Sequence, residues 1–188
     1  MNFGITRAAA LDLLRKHLSN QNLINHSLAS EAVLRAVAER LGEDSEKWGL
    51  AGLLHDLDSE SQPDLATHTT ETVQILSALG VDSEIVEAIR LHNPTAHPGS
   101  IRTTVFQHAL AAGETVTGLI AATALVYPDK KLASVKTKSV TKRFKEKAFA
   151  RGADREVIAE CELIGLPLAD FCALSLTAMQ AIAGEIGL

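Results

Sequence analysis

The sequence predicts an all-α fold, a single compact helical bundle, and three observations predict it. Apolar residues recur at helical spacing nearly throughout the 188 residues, with no period-two alternation longer than a few positions. Ala, Leu, Ile and Val supply most of the apolar content while aromatics make up only 4% of the chain, a mixture that favours helix over sheet. Stretches such as "ESQPD", "HNPTAHPGS" and "YPDKK" break the periodicity where proline, glycine and aspartate gather.

Taken in order, segment 6–18 places Ala9, Leu13 and Leu14 on one side. Segment 22–41 carries Ala29, Val33, Ala36 and Val37 on one stripe, with Gly42 as its stop. Segment 45–57 is apolar almost all round, as a central helix should be. Segment 64–79 sets Leu65, Thr72, Leu76 and Leu79 on one face and ends at Gly80. Asp82 is placed to cap a helix that runs through Leu91. A long pattern from about 101 to Tyr127 follows, with Gly113 a candidate break. A basic stretch and two further helices, about 153–164 and 167–186, complete the chain.

Composition bounds the function. A net charge of −5 suits solubility and argues against a general nucleic-acid surface. The two cysteines, Cys161 and Cys172, have no zinc-site spacing and make no disulfide framework, so they are expected as small buried thiols in a reducing compartment. No apolar run is long enough to span a membrane, and the early segment turns amphipathic at Asp12, Arg15 and Lys16 instead of resembling a signal peptide. The expectation is a cytoplasmic protein without a membrane partner.

The chemistry lies in polar residues on apolar faces. His26 precedes Ala29 and Val33 by three and seven positions and shares their stripe. His68 lies between Leu65 and Thr72 at the same spacing, and His92 follows Ile85 and Ala88 by seven and four. Glu114 shares a stripe with Leu110, Thr117 and Ala121, and "AGLLHDLDSE" delivers His55 and Asp56 at the end of the central helix. A lone histidine on such a face is usually a satisfied core residue, the reading that fits His17 and His108, while His97 stands in a loop. Imidazoles and carboxylates from five segments in one apolar core would each need a separate partner; a divalent metal satisfies them together. Neighbours on a helix diverge by about 100°, but at a helix end they can approach one ion from adjacent directions.

The order of these residues resembles the HD-domain superfamily of metal-dependent phosphohydrolases. "AGLLHDLD" is similar to the His-Asp motif of its HDIG branch, and His68 and His92 look like the extra ligands of two-metal members. The resemblance covers roughly residues 20–126. It implies an HD-type metal-binding helical domain over 1–128, with 129–188 as a helical extension packed on the same core. By carry-over, His26, His55, Asp56 and Glu114 hold one ion, and Asp56, His68 and His92 a second, with His55 and Asp56 central to catalysis. The ligand set suits Mn, Fe, Co, Ni or Zn better than Ca, with Mg kept as a further candidate. Two departures stand out: Glu114 occupies the place of the usual last aspartate, and "HDLD" puts Asp58 near the site, either orienting a histidine or solvated at a helix end.

Residues 130–151 hold half of the chain's Lys and Arg against one acid, Glu146. Lys136, Lys138, Lys142 and Arg143 are candidate contacts for a phosphorylated substrate, against a simple solvated face. The implied function is hydrolysis of a phosphomonoester or phosphodiester of a nucleotide-like small molecule. The alternatives are a di-iron oxygenase on the same ligands and a nucleotide-binding regulatory module without turnover.

Overall fold

The computed structural model describes residues 3–188. Its regular elements are all helical: α1 (Arg7–His17), α2 (Gln21–Leu41), α3 (Ser45–Leu54), α4 (Thr70–Ala78), α5 (Ser83–His92), α6 (Val105–Leu125), α7 (Thr137–Lys145), α8 (Arg155–Ala159) and α9 (Leu168–Ala181). Most starts are set by side-chain caps. Thr6, Asn20, Asp44, Asp82 and Asp154 each accept a backbone N–H of the first turn, and Thr104 with Gln107 forms a reciprocal capping box that starts α6 at residue 105. No helix among the described residues is long and apolar enough to cross a membrane.

The long helix α2 lies along α3, α6 and α9. One continuous core runs from Leu14 through Val33, Leu54, Ile89 and Leu119 to Phe171 and Ile186. As expected of a central helix, α3 is buried at every position from Trp48 to Leu54. Trp48 stacks on Phe106 of α6, with ring centroids 5.2 Å apart. Buried Glu31 is held by Arg7 at 2.6 and 2.9 Å and by Arg35 at 3.0 Å, which ties α1 to α2.

Several sequence expectations shift. In α1 the buried residues are Ala10 and Leu14, while Ala9 is exposed. The helix expected over 64–79 begins only at Thr70, and Leu65 and Leu79 are exposed. Thr69 breaks the earlier turns with a left-handed φ of 84°, a conformation that β-branched residues rarely adopt. Beyond α8 the chain tightens into a 3-10 turn at Glu160–Glu162, and α9 stops at Ala181. Cys161 and Cys172 are free and buried, and burial pushes their thiols up to about 12 and about 11, as inert core sulfurs.

Gly113 does not break α6. It lets α6 approach α2, because a Cβ there would meet Leu34 Cδ2 at 2.5 Å. Gly52 is more consequential: a Cβ would lie 2.7 Å from the backbone C and O of Ser30. The α2 and α3 backbones therefore touch one turn away from His26 and His55. We expect Gly52→Ala to destabilise the fold by about 1–3 kcal/mol despite alanine's helix propensity, because two backbones must separate. Gly118→Ala, whose Cβ meets only Ala153 Cβ at 4.0 Å, should instead gain a few tenths to about 1 kcal/mol. Urea unfolding of the two variants checks the contrast.

Candidate metal centre

Helix ends carry the site. An α-helix leaves its last carbonyls without intrahelical donors, and a histidine in the last turn can supply one. His55 caps α3 and its Nδ1 donates to Gly52 O at 2.8 Å; His92 ends α5 and its Nδ1 donates to Ile89 O at 2.7 Å. In the neutral ring this leaves Nε2 as a lone pair aimed away from the helix end. His26, in the second turn of α2, reaches the same state differently. Thr117 Oγ1 donates to Glu114 O at 2.6 Å and so accepts from His26 Nδ1 at 2.9 Å. These tautomers follow from the hydrogen-bond network.

The ring nitrogens converge. His26 Nε2 lies 3.1 Å from His55 Nε2, and His68 Nε2 lies 3.2 Å from His92 Nε2. Asp56 stands between the pairs. Its Oδ1 is 3.0 Å from His68 Nε2, 3.4 Å from His55 Nε2 and 3.5 Å from His92 Nε2, and its Oδ2 is 3.7 Å from His26 Nε2. Two triads result, His26–His55–Asp56 and Asp56–His68–His92; within each, the candidate ligand atoms lie within 4.8 Å of one another. Two imidazole lone pairs facing at 3.1 Å with no proton between them repel, and a shared cation removes that conflict. The donor set therefore fits divalent ions at both triads.

His68 is not on a helix. It sits in the turns before α4, and Asp58 is what places it. Asp58 is fully buried, so the solvated alternative does not hold. Its carboxylate accepts the N–H groups of Thr69, Glu71 and Thr72 at 3.1–3.2 Å, capping α4, while Thr72 Oγ1 accepts Asp58 N–H at 3.1 Å. Asp58 Oδ1 also lies 2.8 Å from His68 Nδ1 and turns Nε2 toward Asp56. Burial alone would raise the Asp58 carboxyl, but His68 and these N–H donors hold it below its ordinary value.

Glu114 faces the first triad from α6. Its Oε2 is 3.7 Å from His26 Nε2, Oε1 accepts the Thr115 hydroxyl, and it joins neither triad. Burial pushes its carboxyl up. Lys136, Lys138 and Lys142 are exposed on or beside α7, which packs chiefly on α6 and α9. Arg143 is engaged within its own segment, bonded to Glu146 at 2.6 Å and lying over the Phe149 ring at 4.6 Å. His108 bonds Glu160 at 2.7 Å, and His97 reaches Thr69 Oγ1 at 2.8 Å. Thr117, which orients His26, was visible in the sequence only as another member of the Glu114 stripe.

The sequence model of the family described as HD domain matches residues 23–121, the span that contains both triads. This chain belongs to the HD-domain family. HD domains bind divalent metals, in keeping with the two clusters. Ribonuclease Y from Thermosipho melanesiensis is 30% identical over 140 residues, 73% of this chain. The chain spans 27% of the length of that curated relative. No solved structure matches the chain.

Protons and metal compete at the second triad. Burial alone would lower the His68 imidazole, but Asp56 and Asp58 raise it to about 10, so at neutral pH it carries a proton between itself and Asp56. Burial holds His55 down at about 3, neutral and ready to ligate. Ligation by His68 expels its proton, so affinity at that triad should rise with pH, by about tenfold per unit below pH 10 for one proton released. Calorimetric Zn²⁺ titrations in buffers of different ionisation enthalpy check this; binding without proton release contradicts it.

Proposed function

We propose that this HD-domain protein is a metal-dependent phosphoester hydrolase acting on a nucleotide-like small molecule. The observation that supports the reading is the sharing of Asp56 by two triads of inward-facing ligand atoms. When bound, a pair of divalent ions acidifies water and screens charge on attacking and leaving oxygens. His26, His55 and Asp56 would hold one ion and Asp56, His68 and His92 the other. Glu114 would complete the first site by exchanging its bond to Thr115 for the ion.

The chain's own residues supply rigidity. Asp56 is kept ionised: burial opposes the charge, but His55, His68, His92 and His26 around it hold the carboxyl well below its ordinary value. Gly52 O, Ile89 O and Thr117 fix three rings, so the site does not reorganise when the phosphoryl group arrives. The exposed lysines of α7 are secondary candidates for steering an anionic substrate by charge.

A second reading, cleavage of RNA phosphodiesters, is favoured by one comparison, the relative named Ribonuclease Y. The test is a panel of aryl phosphomonoesters and phosphodiesters, nucleoside monophosphates, cyclic nucleotides and an RNA oligonucleotide, assayed with Mn²⁺-loaded protein. Small-molecule turnover that needs metal and falls at least about 100-fold in His55→Ala and Asp56→Ala is the expected result. Cleavage of RNA alone selects the second reading. No turnover with full metal loading overturns both, and an iron-specific optical signal that responds to oxygen would then point to the oxidative alternative.

A further inference from the structure

His26 and His92 stand within helices and His55 caps one, but His68 stands in turns. Asp58 orients its ring, yet a ring is only as well placed as the backbone that carries it. The carbonyl side of that backbone is held separately, by the stretch "HNPTAHPGS" at the end of α5. Asn93 is buried, and both hydrogens of its side-chain amide are used. Nδ2 donates to Leu65 O at 2.8 Å and to His68 O at 3.0 Å, while Oδ1 accepts the Thr95 N–H at 3.3 Å. Farther along the same loop, His97 Nε2 lies 2.8 Å from Thr69 Oγ1. The residue that follows His92 in the chain thus grips the carbonyl of His68, and the loop after it grips the next residue.

The gripping loop is itself stiff. Pro94, with its φ already set, opens a 3-10 turn at Pro94–Ala96. His97 N–H then donates to Pro94 O and Ser100 N–H to His97 O, both at 3.1 Å. Arg90 of α5 donates to Ser100 Oγ at 3.1 Å while Glu87 holds the same guanidinium at 2.7 and 2.8 Å, so the loop is tied back to the helix it leaves. The first triad draws its anchors from elsewhere, Gly52 O and Thr117 Oγ1.

We propose that Asn93 and His97 are positioning residues for the second cation. They clamp the His68 turn onto the end of α5 and so set the span between His68 Nε2 and His92 Nε2, 3.2 Å in this structure. The proposal rests on the two-cation reading of the centre. Its consequence is selective: releasing the clamp frees one triad and leaves the other anchored, because a preorganised ligand loses affinity when its backbone regains freedom.

The test is Mn²⁺ titration of the metal-free full chain, with paramagnetic resonance counting free and bound ions and reporting the exchange-coupled pair. Wild type should take two ions. Asn93→Ala should hold the first within about twofold and bind the second about 10–100-fold more weakly, and the coupled-pair signal should vanish at loadings where wild type shows it. His97→Ala should weaken the second ion in the same direction, and His97→Gln, whose amide reaches the place of Nε2, should restore it. Half-buried His97 decides the matter alone if Asn93→Ala fails to fold. Second-ion affinity unchanged in the alanine variants overturns the clamp and leaves the two-cation reading standing. Equal weakening of both ions also overturns it, because that is general loosening and not positioning. A wild type that takes only one ion removes the two-cation reading itself, and the clamp with it.

Discussion

The structure depends on where four imidazoles keep their Nδ1 protons. His55 and His92 give theirs to carbonyls that a helix end leaves free, His26 gives its own to a threonine on the facing helix, and His68 turns its Nδ1 toward a buried aspartate. Each anchor points Nε2 inward, and the four Nε2 atoms surround the Asp56 carboxylate. Burying so many polar groups without partners would cost several kcal/mol. The helical frame makes the arrangement possible by bringing α2 and α3 into backbone contact at Ser30 and Gly52, and α2 and α6 together at Gly113.

Asp58 extends the same logic to the one ligand-bearing segment without regular structure. Three backbone N–H groups and one imidazole meet its two oxygens, so a single buried carboxylate both starts α4 and holds His68. It also explains how left-handed Thr69 is tolerated. The N–H of that residue donates to Asp58, so strain of order 1–3 kcal/mol is offset locally, beside the centre, where such strain tends to occur.

The all-α fold was legible because periodicity survives in a single sequence, and so was the inward placing of His26, His55, Asp56 and His92. His68 was assigned to the centre through a helical face that does not exist: the turns before α4 bring it there, and Leu65, its supposed neighbour on the stripe, is exposed. Spacing along one segment cannot register a carboxylate eleven to fourteen residues away that caps the next helix. Nor can it distinguish a glycine that breaks a helix from one that admits a neighbour, which is why Gly113 was ambiguous and Gly52 unremarked. The bond of Glu114 to Thr115 beside His26 and the engagement of Arg143 by Glu146 and Phe149 are likewise facts of the folded chain.

The central claim is that Asp56 stands between two cation sites. Anomalous diffraction from a crystal grown with Mn²⁺ tests it most directly. The account predicts two peaks, one between His26 and His55 and one between His68 and His92, each within coordinating reach of an Asp56 oxygen. Strong Mn²⁺ peaks elsewhere, with the four rings hydrogen-bonded only to one another and to water, would contradict it.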